Sequence, residues 1–112
     1  MKRIEAIITP TRVGKVCLAL EKVGYPSPLI SHVERHDGSD VIKYLLRGKT
    51  YRADLAAKTR VEMTVEDGEL DSIVAVIRDT AFADGPEDGR IFVHQMEDAI
   101  RIETGERKER AR

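Results

Sequence analysis

The stretch Asp84-Gly85-Pro86-Glu87-Asp88-Gly89-Arg90, running into Ile91-Phe92-Val93, is where the chain's residue types first suggest chemistry. Glycine lets backbone N–H groups approach an anion closely, and an arginine at the end of such a loop adds a forked, charge-assisted contact, so the pattern can cradle phosphate. The same residues also describe an acidic, solvated turn in which Gly89 only permits a positive φ. Asp84, Glu87 and Asp88 would themselves repel phosphate, and composition alone favours the turn. Arg101 alternates with Ile100 and Ile102, which places a second guanidinium either on the same anion as Arg90 or in a surface ion pair. Glu62 alternates in the same way between Val61 and Met63, and it either accepts hydrogen bonds from a base or faces water.

Other chemistries find little support. His32, His36 and His94 read as scattered, and no Cys/His cluster has zinc-site spacing, so no metal site is expected. No Ser-His-Asp or Cys-His order is legible, and the carboxylates fall mostly in turns and on helix faces. The sequence does not argue for an enzyme. A small ferredoxin-like enzyme or assembly module is the weakest alternative, because it needs a nucleophile or acid–base pair that the chain does not display.

The elements that would carry these residues follow from periodicity. Arg3 to Ile8 reads as a strand, and Thr9-Pro10-Thr11 supplies helix-start chemistry with a hydroxyl able to cap. Val13, Val16, Cys17, Leu20 and Val23 form one apolar helical stripe, which Gly24 ends. After the rigid Tyr25-Pro26-Ser27-Pro28 connection, Leu29 to Val33 reads as a second strand. From residue 35 to about 57 no period holds, and the stretch reads as a long loop, a usual place for function. A hairpin extension using Val41 to Leu46 is its even alternative. Val61, Met63 and Val65 then alternate as a half-buried strand, and Leu70, Ile73, Val74 and Ile77 form a second helical stripe that stops near Ala83-Asp84-Gly85-Pro86. Ile91 to His94 begins the last long strand, and Ala99 to Ile102 suggests a short extra one. The order is βαββαβ, an α+β, ferredoxin-like arrangement.

Composition sets the outer bounds. A chain of 112 residues has room for one domain. Nineteen Lys and Arg against twenty Asp and Glu leave a net charge of −1, which argues against nucleic acid or an anionic membrane as a partner. No apolar run suits a signal segment or a membrane span, so a cytoplasmic protein is expected. Cys17 is alone and cannot form an internal disulfide. With two Phe, three Tyr and no Trp the core must be aliphatic, and a small aliphatic core gains from oligomerisation.

Set against these residues, the chain resembles the PII family of nitrogen-regulatory proteins from end to end, without a gap. Asp88-Gly89-Arg90-Ile91-Phe92-Val93 matches the family's C-terminal signature, with Ile100-Arg101-Ile102 and Thr104-Gly105-Glu106. Met1 to Ile8, Leu18 to Gly24, Arg47-Gly48 with Tyr51, and Lys58 with Glu62 match more weakly. The resemblance implies a homotrimer with an adenine nucleotide (ATP, ADP or AMP) in each inter-subunit cleft as an allosteric ligand. It also implies a signalling loop, here about 35–57, that contacts a regulated enzyme or a membrane transporter from the cytoplasmic side. Ile7 and Glu62 would line the base and ribose, while Asp88, Gly89, Arg90 and Arg101 would lie at the phosphates, with the nucleotide loop at about 83–90. Lys58 matches the lysine that pairs with 2-oxoglutarate, and Tyr51 the tyrosine uridylylated in some bacteria.

The departures concern effectors. The family glutamine that helps hold magnesium and 2-oxoglutarate falls at Ser39, and its neighbouring arginine at Gly38, which puts Mg2+-dependent 2-oxoglutarate sensing in question. The second C-terminal arginine falls at Glu103, at the start of the polar segment of about 103–112. Less positive charge there favours ADP or AMP over ATP. The alternative within the same family is a divergent sensor of bicarbonate or another small anion.

Overall fold

In the computed structural model the described residues are 1–36, 43–46, 49–52, 55–82 and 89–108. Strand β1 (Lys2–Ile8) buries Ile4, Ala6 and Ile8 on one face, the alternation expected where one side of a strand meets a core. Helix α1 (Val13–Lys22) is entered through a 3-10 turn at Pro10–Arg12 and buries Val16 and Leu20. The start differs from expectation. The Thr9 hydroxyl does not cap this turn; its carbonyl accepts the Arg12 N–H at 2.9 Å, and Pro10 tightens the chain instead.

Gly24 ends α1 with φ +95. Its N–H donates to the Glu21 carbonyl at 3.1 Å, and the Tyr25 N–H donates to the Leu20 carbonyl at 2.9 Å, the paired bonds of a Schellman ending. This geometry carries Tyr25 back toward the core, where it is half-buried, before β2 begins (Leu29–His36).

Within the region from 35 to 57 the described residues form strands rather than an irregular loop, and Val41 and Ile42 lie outside them. β2 continues to His36, and the hairpin alternative is what forms, with β3 (Lys43–Leu46) antiparallel to β4 (Lys49–Arg52). β5 (Leu55–Val65) begins five residues earlier than Arg60, where alternation becomes evident, and buries Thr59, Val61, Met63 and Val65. Helix α2 (Leu70–Ala81) buries Ile73 and Ile77 at i, i+4, with Asp71 in its first turn and Arg78 in its last, matching the helix dipole. β6 (Arg90–Gln95) closes the pattern.

The main sheet has the order β2-β5-β1-β6, every pair antiparallel. The buried residues of β1 and β5 join those of α1 and α2 in one aliphatic cluster, so both helices cover the same face of the sheet. Fully burying a side chain such as Leu20 stabilises the fold by about 1.5–3 kcal/mol. The other face carries β1 positions 3, 5 and 7 and β5 positions 58, 60, 62 and 64, none of which joins that cluster.

Past β6, the expected extra strand at Ala99–Ile102 is absent. One bridge, Ile100 to Arg107, forms a small local hairpin with the bonds Arg101 N–H to Glu106 O and Lys108 N–H to Ala99 O, each 2.8–2.9 Å. No helix among the described residues is long and apolar enough to cross a membrane.

Candidate functional site on the open face of the sheet

Cross-strand register decides which side chains meet on the open face. One row reads Ser31, Arg60, Ile7, Arg90 across β2, β5, β1 and β6. The next reads Leu29, Glu62, Glu5, Phe92, and the one beyond it Thr64, Arg3, His94. Lys58 opposes Val33 on the other side of the first row. Directly opposed residues lie about 4.5–5.5 Å apart at Cβ and diagonal ones about 7–8 Å. Ile7, Glu62 and Arg90 therefore occupy adjoining positions around the centre of the face, with Lys58 one row away on β5.

The middle of this face is charged. Arg60 Nε lies 2.9 Å from Glu62 Oε1 and donates to Ser31 Oγ at 3.1 Å. Its Nη1 is 3.8 Å from Glu5 Oε1. Glu5 Oε2 in turn lies 3.4 Å from His94 Nε2. Leu29 and Phe92, both exposed, flank these groups on the edge strands.

A cleft of about 390 Å³ opens where β5 outruns β2. Glu62 pairs with Leu29, the first residue of β2, so Met63 and Thr64 lie beyond the β2 ladder. The segment Gly24-Tyr25-Pro26-Ser27-Pro28 forms the opposite wall. Tyr25 donates its hydroxyl proton to Glu69 Oε2, which fixes that wall to the start of α2. The cleft is large enough for a heteroaromatic ring, and a strand edge lacking a neighbour presents main-chain donors and acceptors to such a ring.

The residues singled out in the sequence are only partly brought together. Gly89 leads directly into Arg90 at the start of β6, both exposed, while Asp88 and the rest of 83–88 lie outside the described residues. Arg101 is separated from Arg90 by the whole of β6, roughly 17 Å at the usual strand rise, and follows its far end. No described contact joins the two within one chain. Tyr51 belongs to β4, and Ser39, Gly38, Arg47 and Gly48 lie outside the described residues. His32 and His36 are not scattered, since both lie on β2, but four residues along a strand span about 13 Å, too far to share one ion. Among the described residues no group of three His, Cys, Asp or Glu could hold a metal ion.

The sequence reading did not single out the Glu5–Arg60–His94 cluster or the cleft wall. Pro26 and Pro28 were legible as a rigid connection, but the role of that connection depends on the Schellman ending and on how far β5 overshoots β2.

Arg101 is held by its hairpin rather than by the sheet. Asp98 Oδ2 accepts from Arg107 Nε at 2.7 Å and lies 2.5 Å from Arg107 Nη2, while Oδ1 accepts the Ala99 N–H at 2.8 Å. The hydrogen bond from Arg107 holds the Asp98 carboxyl below the usual aspartate range; burial opposes it, and the Ala99 N–H adds to the lowering. Gly105, at φ +74, makes the turn, and Ile102 beside it is fully exposed.

Comparison with known proteins agrees with this architecture. The family model described as nitrogen regulatory protein P-II matches residues 1–106. The chain belongs to the PII family. Among its PII relatives, the nitrogen regulatory protein P-II of Pasteurella multocida is 36% identical over 111 residues, covering 99% of both chains. That of Rhodospirillum rubrum is 35% identical over 107 residues, covering 96% of each. A crystal structure of Arabidopsis thaliana PII bound to citrate superposes with a TM-score of 0.80 at 30% identity, covering 99% of this chain and 91% of that one. The α+β fold expected of a PII protein is thus the fold observed, and the chain is a PII signalling protein whose curated relatives are named as regulators.

Proposed function

We propose that this PII protein is a cytoplasmic homotrimer that binds an adenine nucleotide in each inter-subunit cleft and reports it to a partner enzyme or membrane transporter through the segment between β2 and β5. The observation that carries the reading is the placement of Ile7, Glu62 and Arg90 at adjoining positions of one uncovered sheet face. Ile7 offers an apolar surface to a base, Glu62 a hydrogen-bond acceptor, and Arg90 a guanidinium for phosphate. The cleft beside Thr64 gives the base a place to enter, and Gly89, just before β6, would offer its main-chain N–H to the phosphates, where Asp88 is also proposed to act.

The separation of Arg90 from Arg101 supports a shared site. Both arginines reach one ligand most simply when a second copy supplies the second of them, and cyclic trimers make such heterologous clefts three times over. Glu103, two residues from Arg101, opposes a long polyphosphate, which supports preference for ADP or AMP over ATP. Lys58 would bind an effector carboxylate and Tyr51 would be the modification site. With Ser39 and Gly38 in place of the usual effector ligands, 2-oxoglutarate with Mg2+ is not required, and a small anion such as bicarbonate is the second candidate effector.

Isothermal titration of the purified protein with AMP, ADP and ATP, each with and without 2-oxoglutarate and magnesium, tests this. ADP or AMP should bind more tightly than ATP, with no strengthening by 2-oxoglutarate. Strengthening would restore a nitrogen-sensing role of the usual kind; absence of all nucleotide binding would overturn the reading.

A further inference from the structure

We propose that Asp98 and Arg107 are positioning residues: their ion pair holds the C-terminal hairpin in the form that offers Arg101 to the nucleotide phosphates. This rests on the nucleotide reading above. Arg101 and Arg107 are in opposite situations. The Arg101 N–H donates to the Glu106 carbonyl and its carbonyl accepts the Gly105 N–H, each at 2.8 Å, so its backbone is committed. Among the described residues its exposed guanidinium has no hydrogen-bond or ion-pair partner. Arg107 Nε and Nη2 both lie on Asp98 Oδ2, at 2.7 and 2.5 Å. An arginine already neutralised by a carboxylate is a poor phosphate ligand, whereas a free fork on a fixed backbone is a good one.

Asp98 ties more than a side chain. Its Oδ1 accepts the Ala99 N–H at 2.8 Å on one arm of the hairpin and the Lys108 N–H at 3.3 Å on the other. Lys108 stands at φ +56, a left-handed conformation that a residue with a Cβ holds only where surrounding bonds impose it. The same Lys108 N–H donates to the Ala99 carbonyl at 2.9 Å, beside the bridge between Ile100 and Arg107. No residue from 98 to 108 is buried, so polar ties rather than apolar packing set the order of this segment.

Without the Asp98 tie the hairpin opens, and Arg101 must be ordered at the moment of binding. Affinity then falls with the population of the competent form, although no contact to the ligand has been removed. Charge alone would act differently. Removing Asp98 makes the segment more positive and would tighten a phosphate, while removing Arg107 makes it less positive and would loosen one. Loss of positioning weakens binding in both cases.

Calorimetric titration of the full chain with ADP at constant ionic strength separates the two. Asp98→Ala and Arg107→Met should each weaken ADP by about three- to tenfold. The double variant should be no weaker than the more affected single, as for two members of one unit. In an Arg101→Gln background neither substitution should lower the affinity further, because the pair acts through Arg101. The Arg107 side chain is 65% exposed, so Arg107→Met tests the pair even if Asp98→Ala does not fold. Binding as tight as wild type or tighter in either variant, or a loss that persists in the Arg101→Gln background, overturns the proposal and leaves the nucleotide reading intact. Wild-type affinity in Arg101→Gln itself also overturns it and removes Arg101 from the site. A wild-type protein that does not bind ADP overturns both.

Discussion

Thr59 shows how one side chain on the hidden face bears on the site in front of it. It is fully buried, opposite Ile8 on one side and His32 on the other, and its Oγ1 has no hydrogen-bond partner among the described residues. An unsatisfied buried hydroxyl costs about 1–3 kcal/mol, while its β-branched shape suits the strand. Thr59→Val keeps the shape and removes the hydroxyl, so it should stabilise the fold by about 1 kcal/mol. Urea unfolding should show a higher midpoint at unchanged slope. A lower midpoint would mean that the hydroxyl has a partner in the assembled protein. Because Lys58, Arg60 and Glu62 sit on the open side of the same strand, comparing nucleotide affinity in this variant shows whether strand stability and site geometry are coupled.

At the scale of elements, the C-terminal hairpin is tied together by one ionised group, Asp98. The Asp98 carboxyl lies below its ordinary value because Arg107 donates to it, so the folded form binds its proton less readily than the unfolded form. The resulting stabilisation is present above the usual aspartate value and is lost as pH falls through the lowered one. Amide exchange at Gly105 and Lys108, corrected for the intrinsic pH effect, should therefore show weaker protection in strong acid than at neutral pH. Asp98→Asn should show that weakness at both. This hairpin also explains a misreading of the sequence. Ile100-Arg101-Ile102 alternates like a half-buried strand, yet Ile100 and Ile102 are exposed and the turn at Gly105 folds the segment onto itself. Alternation records a pattern, not the presence of a sheet to receive it. Where a core did exist the pattern was sufficient: Val61, Met63 and Val65, and the pair Ile73 and Ile77 mark buried faces from the sequence alone. The hairpin of β3 and β4 was legible only as an alternative because Val41 to Leu46 has no period. The meeting of Glu5, Arg60 and His94 was not legible, since it is created by a register among three strands far apart in sequence.

For the whole molecule, the decisive question is whether Arg90 and Arg101 act on one ligand, and from how many chains. In a single chain Arg90 begins β6 and Arg101 follows its far end, and the function proposed above has two copies build a cleft that uses both. Either substitution alone, Arg90→Gln or Arg101→Gln, then damages every cleft of a homotrimer, each by the loss of a charge-assisted bond worth about 1.5–3 kcal/mol, or roughly ten- to a hundredfold in affinity. Mixed trimers behave differently. When the two variants are unfolded together in equal amounts and refolded, about a quarter of the clefts in randomly assembled rings receive an intact Arg90 from one chain and an intact Arg101 from its neighbour. Titration with ADP should then show about a quarter of the sites binding at wild-type affinity. If both arginines of a site come from the same chain, every cleft carries one lesion and mixing restores nothing. If Arg101 does not touch the ligand at all, Arg101→Gln binds as wild type before any mixing, and the site is confined to the open face around Ile7, Glu62 and Arg90.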